Sequence, residues 1–193
     1  MDTFYSQSFK NYVDQYTKLD QNDLCALLDI FVLRKYRCGE DIVAPTDYNN
    51  STFFVFSGLV RYYYLTGDGK EWNRAFLSEN MMSTSFSDDA DRIEPYGIQA
   101  LEDTAVLFST FFSFQELFDD HPMIERLHRK LIENVLILKM NRERSFLQSN
   151  AKMRYLDFIK QYPNVFQRIT QYHLASYLGI TEASLSRIVR EVG

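Results

Sequence analysis

Ile169-Thr170-Gln171-Tyr172-His173-Leu174-Ala175-Ser176-Tyr177-Leu178-Gly179-Ile180-Thr181-Glu182-Ala183-Ser184-Leu185-Ser186-Arg187-Ile188-Val189-Arg190 is the stretch that decides how this chain is read. Leu174, Ala175 and Leu178 form the apolar stripe of a short helix. Ala175 is small enough for a second helix to cross close to it. Gly179 stands where the chain must turn sharply, and glycine takes a positive φ without steric cost. Ile180 fills the gap between the helices, and Thr181 is placed to cap the second through its hydroxyl. Leu185, Ile188 and Val189 then repeat at helical spacing and face inward. Glu182, Ala183, Ser186, Arg187 and Arg190 are left outside, on a helix of a size that fits a DNA major groove. The pattern is that of a helix-turn-helix; an ordinary αα-hairpin with a glycine turn is the alternative.

Charge is distributed unevenly around that motif. Residues 1–120 carry 9 Lys+Arg and 20 Asp+Glu, net −11, whereas residues 121–193 carry 12 and 6, net +6. A basic C-terminal third behind an acidic body is the asymmetry expected when one part must approach phosphates. Arg126, Arg129, Lys130, Arg142 and Arg144 also fit a plain solvated helix.

A chain of 193 residues with 46% hydrophobic and 16% aromatic content can bury a substantial core. No apolar run approaches 18 residues, so no membrane span is expected. Met1-Asp2-Thr3-Phe4-Tyr5 lacks a basic stretch followed by an apolar one, so no secretory signal is expected and the location expected is cytoplasmic. Cys25 and Cys38, without CxxC spacing, suit reduced thiols in that compartment, a disulfide between them being the alternative.

The fold class expected is α+β. Residues 1–30 read as helical, with Leu24, Leu27, Leu28 and Phe31 at helical spacing and Asp20 as an N-cap. From Phe31 to Phe112 the period shifts toward two. Phe53 to Tyr64 is aromatic and β-branched, with Gly58 at a bulge or bend. Thr66-Gly67-Asp68-Gly69-Lys70 is a hairpin turn, and Glu71 to Leu77 is the return strand. Further strands fall at Ile98–Leu101 and Thr104–Ser109. Such short, evenly spaced strands predict a small antiparallel barrel or jelly roll. Ser78 to Pro95 shows no clear period and reads as a ligand-facing loop or short helix. From His121 the helical period returns. Ile124, Leu127, Leu131, Val135 and Leu138 form one stripe; Ile132, Leu136, Met140, Phe146 and Leu147 form another. A helix apolar on two sides must bury both, which predicts a homodimer through Pro122–Gln148 or, failing that, burial inside a monomer. Asn150 to Pro163 supplies one more helix, with Met153, Leu156 and Ile159 inward.

The order is therefore helix, barrel, long helix, helix-turn-helix. In this order the chain resembles the Crp/Fnr family of bacterial transcription regulators. The most specific pieces are Phe56-Ser57-Gly58-Leu59-Val60-Arg61-Tyr62-Tyr63, Asp68-Gly69-Lys70-Glu71, Ala100-Leu101-Glu102-Asp103-Thr104-Ala105-Val106-Leu107, and Leu178-Gly179-Ile180-Thr181 with Leu185-Ser186-Arg187-Ile188. The resemblance implies a cyclic-nucleotide-binding-like sensor over 1–120, a dimerisation helix over 121–149 and a DNA-binding unit over 150–193. It implies a homodimer on a two-fold site in double-stranded DNA. It also implies a wing strand after the second helix, which an ending at Gly193 would leave short or missing. On this reading Arg187 reads a guanine. Thr181, Glu182, Ala183, Ser184, Ser186 and Arg190 surround it, and Thr170, Gln171 and His173 lie where a DNA strand would pass. Glu182 replaces a basic residue of the cyclic-AMP receptor protein, so the operator should differ.

The nucleotide pocket is where the sequence departs from the family. Cyclic-nucleotide binders use a Gly-Glu-Leu-like turn and, further on, an Arg-Ser pair that holds the phosphate. The corresponding positions here are Ser83-Thr84-Ser85 and Glu94-Pro95. A carboxylate in place of the arginine repels phosphate, and Pro95 removes a backbone donor. Asp88, Asp89 and Asp91 add to this, leaving Arg92 as the one substitute cation. Cyclic AMP is therefore not expected. No cofactor is expected either: two cysteines cannot hold an iron–sulfur cluster, and no histidine lies in the barrel to serve a haem or a cupin metal. The pocket offers Arg61 and Tyr63 on one strand and Trp72 and Arg74 on the next. Facing inward, they would bind a small organic anion; facing outward, they are ordinary wall residues. The function expected is transcription regulation rather than catalysis. The alternative is a ligand-binding or interaction module with a vestigial DNA motif.

Overall fold

The computed structural model describes residues 3–45, 47, 49–84 and 96–192. Two helices open it, α1 (Thr3–Val13) and α2 (Gln21–Asp29). Asp20 caps α2 by accepting from the Asp23 N–H at 2.8 Å. Eight strands follow: β1 (Val32–Tyr36), β2 (Asp41–Val43), β3 (Ser51–Ser57), β4 (Val60–Leu65), β5 (Glu71–Leu77), β6 (Met81–Ser83), β7 (Tyr96–Ala100) and β8 (Thr104–Thr110). The remaining helices are α3 (Phe111–Gln115), α4 (Pro122–Gln148), α5 (Ala151–Gln161), α6 (Pro163–Phe166), α7 (Gln171–Leu178) and α8 (Glu182–Val192).

The strands form two four-stranded antiparallel sheets, ordered β1-β8-β3-β6 and β2-β7-β4-β5. Alternation along the strands fixes what each face meets. Phe53, Val55 and Val106 of one sheet pack against Val60, Tyr62 and Ile98 of the other. On the outer face of the first sheet, Phe54 and Leu107 meet Phe9, Val13, Leu27, Ile124 and Leu127 from α1, α2 and α4. On the outer face of the second, Leu59 and Phe76 meet Phe158, Leu174, Leu178 and Leu185 from the C-terminal helices. Gly58 turns the chain between β3 and β4 at φ +100°; a Cβ there would lie 2.3 Å from Thr104 Oγ1.

Three expectations need correction. Met81–Ser83 lies in the stretch read as aperiodic, yet it is a strand, because three residues suffice to pair with Phe53–Val55. The inward residues of α5 are Tyr155 and Phe158, with Ile159 packed beside them as expected, whereas Met153 and Leu156 are exposed; the aromatic ridge takes the Phe76 surface. The apolar residues of α4 divide by position along the helix rather than into two full-length stripes. Ile124, Leu127 and Leu131 are buried in the chain's own core, while Leu136 (55% exposed), Met140 (59%) and Leu147 (79%) lie open. Cys25 and Cys38 are exposed free thiols. Among the described residues no helix is long and apolar enough to cross a membrane.

Candidate functional site

The C-terminal helices seat on the β5 edge of the second sheet. β5 ends that sheet, so its outward N–H and C=O groups have no strand to bond. Ser176 of α7 supplies the missing partner: its hydroxyl accepts from the Asn73 N–H at 2.8 Å and donates to the Glu71 carbonyl at 3.0 Å. Arg142 of α4 donates to the Asn73 carbonyl at 3.3 Å and to the Tyr177 carbonyl at 2.8 Å. The Asn73 side chain donates to the His173 carbonyl at 2.9 Å and lies 3.2 Å from His173 Nδ1. Further along, Arg168 forks between Glu79 and Glu102, with contacts of 2.8 and 2.6 Å, and so ties the entry to α7 onto two sheet connections.

α7 and α8 meet across a left-handed turn at Gly179 (φ +69°), where a Cβ would come within 2.9 Å of the Phe146 ring. Thr170 caps α7 by accepting from the His173 N–H, and Thr181 accepts from the Ser184 N–H, each at 3.2 Å. Leu185 is fully buried between the helices, and Ile188 and Val189 pack on the same cluster. Glu182, Ala183, Arg187 and Arg190 are exposed, with Ser184 and Ser186 half-buried beside them. Among the described residues Arg187 and Arg190 reach only neighbouring serines, Arg187 to Ser184 Oγ and Arg190 to Ser186. Gln171 is exposed at the start of α7.

His173 sits differently from an open phosphate contact. Its ring turns toward β5, and burial, helped by nearby Arg61, pushes its pKa down to about 4. The imidazole is therefore neutral at neutral pH.

The four sheet residues expected to share a ligand site are not brought together. A bulge in β5, opposite the Tyr62–Tyr63 step of β4, splits the faces. Arg61 lies under α7, 4% exposed, spent on Glu71 (2.6 Å), Gln99 (2.9 Å) and Asn73 (3.3 Å), with its guanidinium over the Tyr63 ring. Arg74 stacks instead on Tyr96, at 4.6 Å, on the far side of the sheet. Trp72 and Arg74 line a cleft of about 520 Å³ beside α4. The Ser83 hydroxyl is taken by the Tyr62 phenol, and Thr84 lies 3.4 Å from Thr52. Ser85, Asp88, Asp89, Asp91, Arg92, Glu94 and Pro95 lie outside the described residues. Among the described residues no cluster of His, Cys, Asp and Glu could hold a metal ion.

Several residues that build this region were not singled out from sequence. Asn73 carried a signal, a lone amide in an aromatic strand. Arg168 carried none, since its partners Glu79 and Glu102 lie far away in the chain, and Arg154 reaches carbonyls, which no side-chain pattern marks.

The whole arrangement was compared with known proteins. No family model matches the chain, and no curated protein matches it. Solved structures do. A protein from Eubacterium rectale, assigned to the crp/fnr family of transcriptional regulators, is 18% identical, with 94% of this chain and 87% of that one covered at a TM-score of 0.71. The fold is that of the Crp/Fnr regulators. FixK2 from Bradyrhizobium japonicum has the same fold at 18% identity, 84% coverage of both chains and a TM-score of 0.71. The regulator CLP from Xanthomonas campestris shares it at 15% identity, with 90% and 91% covered and a TM-score of 0.67. Two antiparallel sheets, a long helix and a C-terminal helical unit are thus a known Crp/Fnr arrangement.

Proposed function

We propose that this protein is a DNA-binding transcription regulator of the Crp/Fnr type, acting in the cytoplasm and without catalytic activity. The supporting observation is α8. One face is locked into the α5–α7 cluster through Leu185, and the opposite face presents Arg187 and Arg190 to solvent with no carboxylate partner among the described residues. In this reading α7 and α8 are a helix-turn-helix and α8 enters the major groove. Residues 1–120 form a jelly-roll sensor, 121–149 the dimerisation helix and 150–193 the DNA-binding unit. The exposed apolar stripe of α4, Leu136, Met140 and Leu147, is the face that meets a second copy. The dimer places two α8 helices on a two-fold operator. The effector is not cyclic AMP, given Glu94 and Pro95 where the phosphate-holding pair belongs. CLP, described as responsive to cyclic di-GMP, and CprK, described in complex with OCPA, support the view that this fold serves more than one effector.

Selection of binding sites from random DNA tests the reading. A two-fold motif is expected to emerge. Recovery of unenriched DNA at moderate salt would leave only the vestigial-motif alternative.

A further inference from the structure

Where the end of α4 meets α5 and α7, the chain leaves a cleft of about 540 Å³, within the range of small-molecule sites. Its charge is one-sided. Arg142, Arg144, Arg154 and Lys160 line it, against a single acid, Asp157. No carboxylate pairs with any of these four cations among the described residues. The hydrogen bonds of Arg142 and Arg154 go to carbonyls: Arg154 to Leu178 at 3.0 Å and Ser149 at 2.7 Å, Arg142 to Asn73 and Tyr177, with the Arg142 guanidinium also over the Tyr177 ring at 4.0 Å. Both guanidiniums lie against the same ring, Phe146, at 4.8 and 4.6 Å. Burial first, and then the neighbouring Arg142, push the Arg154 pKa below its ordinary value. The rest of the wall is aromatic, from Tyr162 and Tyr177, with the buried Phe158 packed behind them. Burial pushes the Tyr162 phenol up to about 12, so it stays protonated and can donate. It makes no hydrogen bond to another described residue.

We infer that this cleft binds a small organic anion: a flat apolar body laid against Phe146 and Tyr177, carrying a phosphate or carboxylate held by Arg142, Arg154 and Tyr162. Paired guanidiniums without a carboxylate match an oxyanion's need for converging donors, and an aromatic wall gives the body its contact area. The occupant touches α4, α5 and α7 at once, so it sits at the joint between the long helix and the C-terminal unit. The inference rests on the regulator reading only in treating that occupant as an effector. Binding is measured on the free protein, so loss of this site and loss of DNA recognition register separately.

The probe is 1-naphthyl phosphate, titrated by calorimetry against the full chain at low salt. Inorganic phosphate and 1-naphthol serve as its two separated halves. The expected result is one molecule per chain, bound at least tenfold more tightly than either half. Arg154→Gln is expected to weaken it at least tenfold. Because that change also uncaps carbonyls, the double variant R144Q/K160Q is the second arm; its residues hold no buried partner, and it should weaken binding at least threefold with unchanged melting. Equal binding of 1-naphthol, or wild-type affinity in a folded R144Q/K160Q protein, overturns the assignment.

Discussion

Replacing Ser176 with alanine removes one hydroxyl and nothing else, yet it should be among the costlier single-atom changes in this chain. The hydroxyl is 8% exposed as a residue and bridges the Asn73 N–H and the Glu71 carbonyl, two groups on the free edge of β5. Each net hydrogen bond contributes about 0.5–1.5 kcal/mol, and a buried donor left unmade costs about 1–3 kcal/mol. Asn73 is 2% exposed, so its N–H cannot recover by meeting water. Glu71 is half-buried, so its carbonyl recovers in part. The expected loss is ~2 kcal/mol, or about 4–8 °C in Tm for a chain of this size. Thermal unfolding followed by circular dichroism gives the first number. Amide hydrogen exchange gives the second, since the Asn73 amide should exchange faster while those of β7 and β8 do not. A melting temperature within about 1 °C of wild type, with Asn73 protection intact, would refute the idea that α7 completes the sheet edge.

Four further outcomes follow from the same geometry. Arg187→Ala should flatten base preference at one position per half-site, a loss of about 1–3 kcal/mol in discrimination, while Gln171→Ala weakens all sequences alike; an unchanged selected motif would sink α8 as the reader. The pair Leu136→Asp and Met140→Asp should give a monomer by sedimentation at micromolar concentration, with the fold intact; Leu131, at 3% exposure, belongs to the chain's own core and would unfold it instead. Calorimetry should detect no cyclic AMP binding at physiological concentrations. For His173, burial lowers the folded pKa from 6.5 to about 4, so the unfolded chain takes up a proton first as pH falls. Stability contributed at neutral pH is lost between about pH 6.5 and 4. The full shift corresponds to ~3 kcal/mol, and the ring's partial exposure reduces this to about 1–2 kcal/mol. His173→Gln should flatten the difference in urea midpoint between pH 7 and 5, and an equal slope in both proteins would count against it.

The helical segments were legible because their periods are long and consistent. Leu174, Ala175, Leu178 and Leu185 are buried as their spacing demands, and α4 runs over Pro122–Gln148 as expected. Strands were legible in place but not in facing. One bulged residue in β5 sends Arg74 and Arg61 to opposite sides, and nothing local in Glu71-Trp72-Asn73-Arg74 announces it. The basic excess after residue 120 does not all face outward. Arg142 and Arg154 bond carbonyls, and Arg168 neutralises Glu79 and Glu102, so these charges hold the fold together rather than facing outward. Long-range pairing of this kind depends on which surfaces meet, and a one-dimensional pattern does not carry it.

The dependence of β5 on Ser176 also sets an order of events during synthesis. Glu71 and Asn73 leave the ribosome about a hundred residues before the hydroxyl that satisfies them. Throughout that interval the nascent chain carries an open, aromatic strand edge, the kind of surface that templates association between growing polypeptides. Lys70, set over the Trp72 ring at the tip of the hairpin, puts one positive charge beside that edge. Fragments that stop before α7 should therefore clump, and truncation from the C-terminus should be a solubility problem before it is a loss of recognition.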